Sequence, residues 1–320
     1  MMKRMPVGYD SRDADYFLRE AVSNLKGKID FLYYGGLDGE DEKGTIEFFE
    51  KLKVSTDTLY SMLNSNIIEK ANKINHLHSI LKSDLELAKK IQENILPEQK
   101  KIDGLDICAR FIPMSEVGGD IYDITQIGPG LVRIFLADAT GHGVQAALVT
   151  MIIKAEYEML KKDVPGPAGV IESLSREFFH LYRNIGSFFT CIVADIDLNN
   201  KKIIYSSAGH PVQYLVSAEG NIRTMPHTGK IIGVFEHMHF NEIEMPLDPM
   251  SQLYIFSDGI YEEFNESNEE YGEHRVRSLL GRCAGTPVSG VITRLLDDVT
   301  KFIGPGVLND DITLIGVGIL

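Results

Sequence analysis

The residues of this chain whose types and spacing could do chemistry are aspartates. Asp120 follows Val117-Gly118-Gly119, and Asp138 closes the apolar run Val132-Arg133-Ile134-Phe135-Leu136-Ala137. Asp258 closes Leu253-Tyr254-Ile255-Phe256-Ser257, and Asp310-Asp311 stand just before Ile312-Thr313-Leu314-Ile315. A carboxylate at the end of a buried strand is costly unless its charge is compensated. Taken singly, each would pass for a turn or cap residue. Converging, they would make an all-oxygen site, which suits Mg²⁺ or Mn²⁺ rather than zinc.

The neighbouring glycines sharpen this expectation. Gly118-Gly119, Gly141-His142-Gly143 and Gly259 flank the aspartates and let the backbone come close to a metal or a phosphate. The Gly141–Gly143 segment also opens an expected helix, so its amides could face an anion. His142 is a candidate general acid, ranked below the aspartates because a histidine at a helix start is as often structural. His210, in Ala208-Gly209-His210-Pro211, reads as a turn residue with a structural or substrate-facing role.

Strands and helices must position these groups. β-branched and aromatic runs predict strands over Asp106–Phe111, Leu131–Ala137, Phe188–Asp195, Ile203–Ser207, Gln213–Val216, Leu253–Phe256 and Ile312–Val317. Helical periodicity predicts Val144–Lys162, Ala168–Arg183, His274–Cys283 and Val288–Phe302. Short strands in neighbouring pairs, with helices in separate blocks, predict an α+β fold of mainly antiparallel sheets.

Upstream, Thr56–Leu96 contains neither Pro nor Gly, and Pro97 ends it. Its apolar stripe (Ile67, Ala71, Ile74, Leu81, Leu85, Ala88, Ile95, with His78 and Gln92 in the same seam) is near-heptad and would be roughly 60 Å long if unbroken. It reads as a helical linker that either packs on its own domain or, as the narrow stripe and polar remaining faces favour, forms a parallel homodimeric coiled coil. Ser83-Asp84-Leu85-Glu86 has capping-box spacing, so the span reads as one long helix or as a pair of helices with a restart there. Residues 1–55 mix helical pieces (Asp15–Leu25, Thr45–Lys53) with the acidic, Gly-rich loop Gly35–Glu42. The expected organisation is therefore 1–55 as a regulatory or partner-binding region, 56–97 as the linker, and 98–320 as the catalytic domain.

Composition bounds the rest. With 320 residues, 44% of them hydrophobic and 24% charged, the chain is an ordinary globular protein of roughly two domains. A net charge of −14 without a compensating basic run argues against nucleic acid as a partner. No apolar run approaches the ~18 residues of a membrane span. Three scattered cysteines and no signal-like N-terminus point to the cytoplasm.

Val117-Gly118-Gly119-Asp120-Ile121-Tyr122-Asp123, Ala137-Asp138-Ala139-Thr140-Gly141-His142-Gly143, Ala208-Gly209-His210-Pro211, Ser257-Asp258-Gly259-Ile260 and Asp310-Asp311-Ile312-Thr313-Leu314 occur in that order. Together with Leu87–Pro97 they make residues 84–320 resemble the RsbU/SpoIIE-like branch of the metal-dependent (PPM-type) protein serine/threonine phosphatases. The resemblance implies a four-layer αββα sandwich with two Mn²⁺ or Mg²⁺ ions at one end of the sheets. By motif match, Asp138 would bridge both ions, Asp120 would complete one side, and Asp258 and Asp310 the other. The Ala139 carbonyl matches a further ligand position, with Asp123 and Asp311 as reserve ligands or outer groups. Water activated by the metals would attack phosphorus in line, without a phosphoenzyme.

The resemblance further implies a phosphorylated STAS-domain antagonist of an anti-sigma factor as substrate, and a regulatory protein acting through the N-terminal region. One departure is the phosphate-clamping arginine found outside this branch. The nearest candidate, Arg110, lies inside a predicted strand and is not assigned that role. Gly118-Gly119-Asp120 also resembles the diguanylate cyclase signature, but Ile121-Tyr122 does not continue it. The competing expectation is a catalytically silent, phosphatase-like binding module.

Overall fold

Apolar runs such as Ile134–Ala137 have no polar alternation because their strands are covered on both faces, one by a second sheet and the other by helices. A computed structural model shows this arrangement and describes residue 23 and residues 25–30, 42–98 and 101–320. The chain divides into two units, Met1–Lys82 and Ser83–Leu320.

In the second unit, sheet order β2-β3-β4-β5-β8 comprises β2 (Asp120–Gly128), β3 (Leu131–Ala139), β4 (Phe189–Asp197), β5 (Lys202–Ala208) and β8 (Ile243–Pro246). The other sheet, order β1-β10-β9-β6-β7, comprises β1 (Leu105–Ile112), β10 (Ile312–Ile319), β9 (Gln252–Phe256), β6 (Gln213–Val216) and β7 (Ile222–Met225). All strand pairs within both sheets are antiparallel. Val132, Ile134, Leu136, Ile192 and Ala194 from one sheet meet Leu215, Leu253, Ile255, Ile315 and Val317 from the other in a shared core. The alternate residues Phe135, Ala137, Cys191 and Val193 pack on helices α2 (Val144–Leu160) and α3 (Pro167–Tyr182). On the far side, Tyr254, Phe256 and Leu314 pack on α4 (Gly272–Arg282) and α5 (Val288–Ile303). This is the expected α+β, four-layer αββα sandwich. Each fully buried Val, Leu or Ile contributes about 1.5–3 kcal/mol of transfer free energy, so the two-sided strands are the rigid part on which a site can be built.

The predicted strands and helices of this unit are all present, with ends shifted by a residue or two. Three strands were not predicted. β2 carries two aspartates, poor strand formers, while β7 and β8 are four-residue edge strands with mostly partly or fully exposed side chains.

Helix α1 runs unbroken from Glu42 to Ile95, 54 residues and about 80 Å at 1.5 Å per residue. It therefore begins well before Thr56, takes in the Thr45–Lys53 piece, and does not restart at Ser83. The proposed seam is also altered. Gln92 is buried and Leu85, Ala88 and Ile95 are half-buried, whereas Ile74, Leu77, Leu81, Leu87 and Ile91 are exposed. In the first unit, residues 25–30 are helical, and ion pairs join Lys26 to Asp57 and Lys53 to Asp30. The Gly-rich loop at 35–41 and nearly all of the Asp15–Leu25 piece lie outside the described residues. Among the described residues no helix is long and apolar enough to cross a membrane, and the three cysteines are free and buried.

Candidate metal centre at one end of the paired sheets

Antiparallel pairing brings the aspartates together. β2 starts where β3 ends, so Asp120 and Asp138 are direct cross-strand partners. β9 ends where β10 starts, with Phe256 opposite Leu314, which puts Asp258 and Asp310-Asp311 at that sheet's corresponding end. The two sheet ends are tied to each other. The Thr313 hydroxyl, on β10, donates to Asp120 Oδ2 on β2 at 2.6 Å. Asp311 Oδ1 accepts the Met114 amide at 2.6 Å, and its Oδ2 accepts the Gly119 amide at 2.5 Å. Ser257 completes the seam, its hydroxyl donating to the Asp311 carbonyl (3.2 Å) and accepting the Thr313 amide (2.9 Å).

The glycines are required by proximity. A Cβ on Gly118 would lie 2.7 Å from the Asp311 carboxylate, inside any real contact. One on Gly119 would lie 2.9 Å from the Ala139 carbonyl oxygen and would cover that acceptor. The Gly118 backbone is held in turn by a side chain from α1: Gln92 Nε2 donates to the Gly118 carbonyl at 2.7 Å, and Gln92 Oε1 accepts the Gly118 amide at 3.0 Å. The sequence placed Gln92 in a coiled-coil seam. Its burial against Gly118 instead makes it a bracket for the loop that carries Asp120.

The electrostatics are those of acids without a counter-charge. Burial, and after it the charges of Asp120, Asp258, Asp310 and Asp311, pushes the Asp138 carboxyl far above the usual carboxylate range. Burial likewise raises Asp120, against the hydroxyls of Thr313 and Ser257, with Asp311 and Asp258 adding to the rise. Asp258 is pushed up to about 6 by burial, then by Asp310 and Glu262. Among the described residues no three His, Cys, Asp or Glu side chains already close round a single point as metal ligands. The carboxylates are near neighbours that repel one another, and no lysine or arginine among the described residues forms an ion pair with them. Hard, all-oxygen donors with mutually raised pKa values are the chemistry that fits divalent Mg²⁺ or Mn²⁺.

Other predicted residues stand elsewhere. Asp123 faces the helix side of β2, where its carboxylate meets Lys154 Nζ at 2.7 Å, Lys161 Nζ at 3.3 Å and the Thr125 hydroxyl. Burial would raise that carboxyl, but these partners outweigh it and hold it below the usual range. His142 is exposed in the turn before α2, close enough for its charge to act on Asp311. His210 is buried, its Nδ1 is 2.8 Å from the Thr190 hydroxyl, and burial lowers its pKa to about 3. The Arg110 guanidinium donates to the Ala109 carbonyl at 2.9 Å rather than to these carboxylates. Gln92, Ser257 and Thr313 carried no site role in the sequence reading, because an uncharged residue acquires one only from its partner.

Two facing antiparallel sheets, outer helices and carboxylates at one sheet end define a PP2C-type domain. The SiaA PP2C domain of Pseudomonas aeruginosa has the same fold, with a TM-score of 0.70 at 21% identity, over 76% of this chain and 99% of that one. The chain belongs to the SpoIIE family: the model for Stage II sporulation protein E matches residues 128–319. It is 30% identical to the phosphoserine phosphatase RsbP of Bacillus subtilis (strain 168) over 182 residues, 56% of this chain and 45% of that protein. It is 25% identical to the phosphoserine phosphatase RsbU of the same organism over 239 residues, 73% of this chain and 70% of that one. The chain thus spans just under half the length of RsbP.

Proposed function

We propose that residues 98–320 are a metal-dependent protein serine/threonine phosphatase domain. The observation that carries this reading is the gathering of Asp120, Asp138, Asp258 and Asp310 at one sheet end with no lysine or arginine among the described residues paired to them. Asp138 would be shared by two Mn²⁺ or Mg²⁺ ions, with Asp120 and the Ala139 carbonyl on one side and Asp258 and Asp310 on the other. The ions, when bound, supply Lewis-acid activation of water and charge neutralisation at the phosphoryl group. The chain itself contributes position. Thr313 orients Asp120, Asp311 holds the Met114 and Gly119 amides, and the two-sided sheets keep the donors from collapsing on one another.

The phosphoserine phosphatases RsbU and RsbP support a phosphoprotein as substrate, and a STAS-type antagonist is the class we propose. Residues 1–55 would bind a regulatory protein, and α1 would transmit its effect through homodimerisation along the exposed Ile74, Leu77, Leu81, Leu87 and Ile91. Mn²⁺-dependent release of phosphate from an aryl phosphate and from a phosphorylated STAS protein is the test. Turnover that disappears in Asp138→Asn supports the reading, and absence of both turnover and Mn²⁺ binding overturns it. The alternative reading, a catalytically silent binding module, predicts capture of the phosphoprotein without turnover.

A further inference from the structure

Glu263 is a carboxylate with 0% of its surface exposed, and no cation among the described residues pairs with it. Such a group is costly to bury unless N–H donors fill its lone pairs. Here the donors come from one place. Glu263 Oε1 accepts the Asn309 amide at 3.0 Å and Oε2 accepts the Asn309 side-chain Nδ2 at 3.0 Å. The Asp310 amide faces the same carboxylate. At its other end Glu263 is tied into the turn that carries Asp258. The Asp258 carbonyl accepts the Tyr261 and Glu262 amides at 2.7 and 3.1 Å, and the Glu263 carbonyl accepts the Tyr271 amide at 2.7 Å. Asp258 and Asp310 are the two carboxylates assigned above to the same cation. Asp310 sits on the irregular segment between α5 and β10, whose residues 304–307 are exposed.

We propose that Glu263 is a positioning residue that fixes the Asn309-Asp310 segment against the Asp258 turn, so that the two carboxylates face one cation. This rests on the two-metal reading. Three N–H groups converging on a wholly buried acid specify direction as well as contact, which an apolar side chain could not do. A group that orients a ligand from behind typically changes metal affinity by about 10–100-fold when lost.

The test is calorimetric Mn²⁺ titration of the full chain, with melting of the metal-free protein as a second readout. Glu263→Gln keeps the volume but sets an amide donor against Asn309 Nδ2. It is expected to weaken one Mn²⁺ site by about 10-fold or more and leave the other within about twofold. Asn309→Ala, at an exposed position, keeps the backbone donor to Glu263 Oε1 and is expected to act in the same direction with smaller effect. The double variant Glu263→Gln/Asn309→Asp restores a donor–acceptor pair and should recover affinity to within about threefold of the wild type. Asn309→Asp alone opposes two carboxylates and should bind more weakly than the double variant. If all variants bind Mn²⁺ as the wild type does and only melt earlier, or if the double variant is no better than Glu263→Gln alone, the positioning role is overturned. If the wild type itself takes up no Mn²⁺, the metal reading fails instead.

Discussion

Asp120 and Asp123 are three residues apart on the same strand, both nearly fully buried, and their environments are opposite. Asp123 points to the helix layer and meets two lysines, Lys154 from within α2 and Lys161 just past its end. Its charge is settled inside the protein, and its pKa falls. Asp120 lies at the sheet end, where its neighbours are a hydroxyl and other acids, and its pKa rises. A strand alternates its faces with period two, so a spacing of three puts the two carboxylates on different faces. One face completes a structural ion pair. The other leaves acids that nothing among the described residues neutralises. On the function proposed above, those are the acids that carry the chemistry.

That contrast can be tested by removing charge on each side. Asp138→Asn is expected to reduce Mn²⁺-dependent phosphate release by at least about 10²–10³-fold. It should also raise the melting temperature of the metal-free protein, because the repulsion from its acidic neighbours is relieved. Asp123→Asn should do the reverse. Lys154 keeps Glu158 at 2.7 Å, so losing its buried Asp123 partner is expected to cost about 1–3 kcal/mol in denaturant unfolding, while Mn²⁺ affinity of the folded protein stays within about twofold of wild type. Equal stability losses in the two variants would erase the distinction.

Gln92→Ala lies between these cases, since it removes no charge but frees the Gly118 loop. We expect about 10-fold weaker Mn²⁺ binding by calorimetry, by analogy with other groups that orient ligands from behind, and about 1–3 kcal/mol lost through the unpaired Gly118 backbone groups. The smallest effect is that of pH. Asp258, raised to about 6 from an unfolded value near ~3.9, contributes stability to the metal-free protein that is fully present below the unfolded value. That contribution is lost as pH rises through about 6. The metal-free protein should therefore melt earlier at pH 7 than at pH 5 from this group, and Mn²⁺ should stabilise it more at pH 7, since binding then displaces no proton from Asp258. Asp258→Asn should flatten that difference.

Much of the sandwich was legible because strands covered on both faces read as continuous apolar runs, and α3, α4 and α5 carry strong helical periodicity. β2 was hidden although it bears Asp120, because Asp and Gln interrupt its pattern. Gln92 was misplaced for a different reason. The same helical stripe can serve a partner helix or the chain's own domain, and periodicity does not distinguish them.

By itself the sequence determined which residues are the candidates for chemistry: aspartates at strand ends, with glycines beside them, in a recognisable order. That much is local, since strand ends and backbone freedom are set by neighbouring residues. Only the tertiary structure decided which acids stay without a partner. Register places Asp120 opposite Asp138, packing gives Asp123 its lysines, and Glu263 finds Asn309 across 46 positions of chain. Charge compensation depends on distance in space, and distance along the chain does not reveal it.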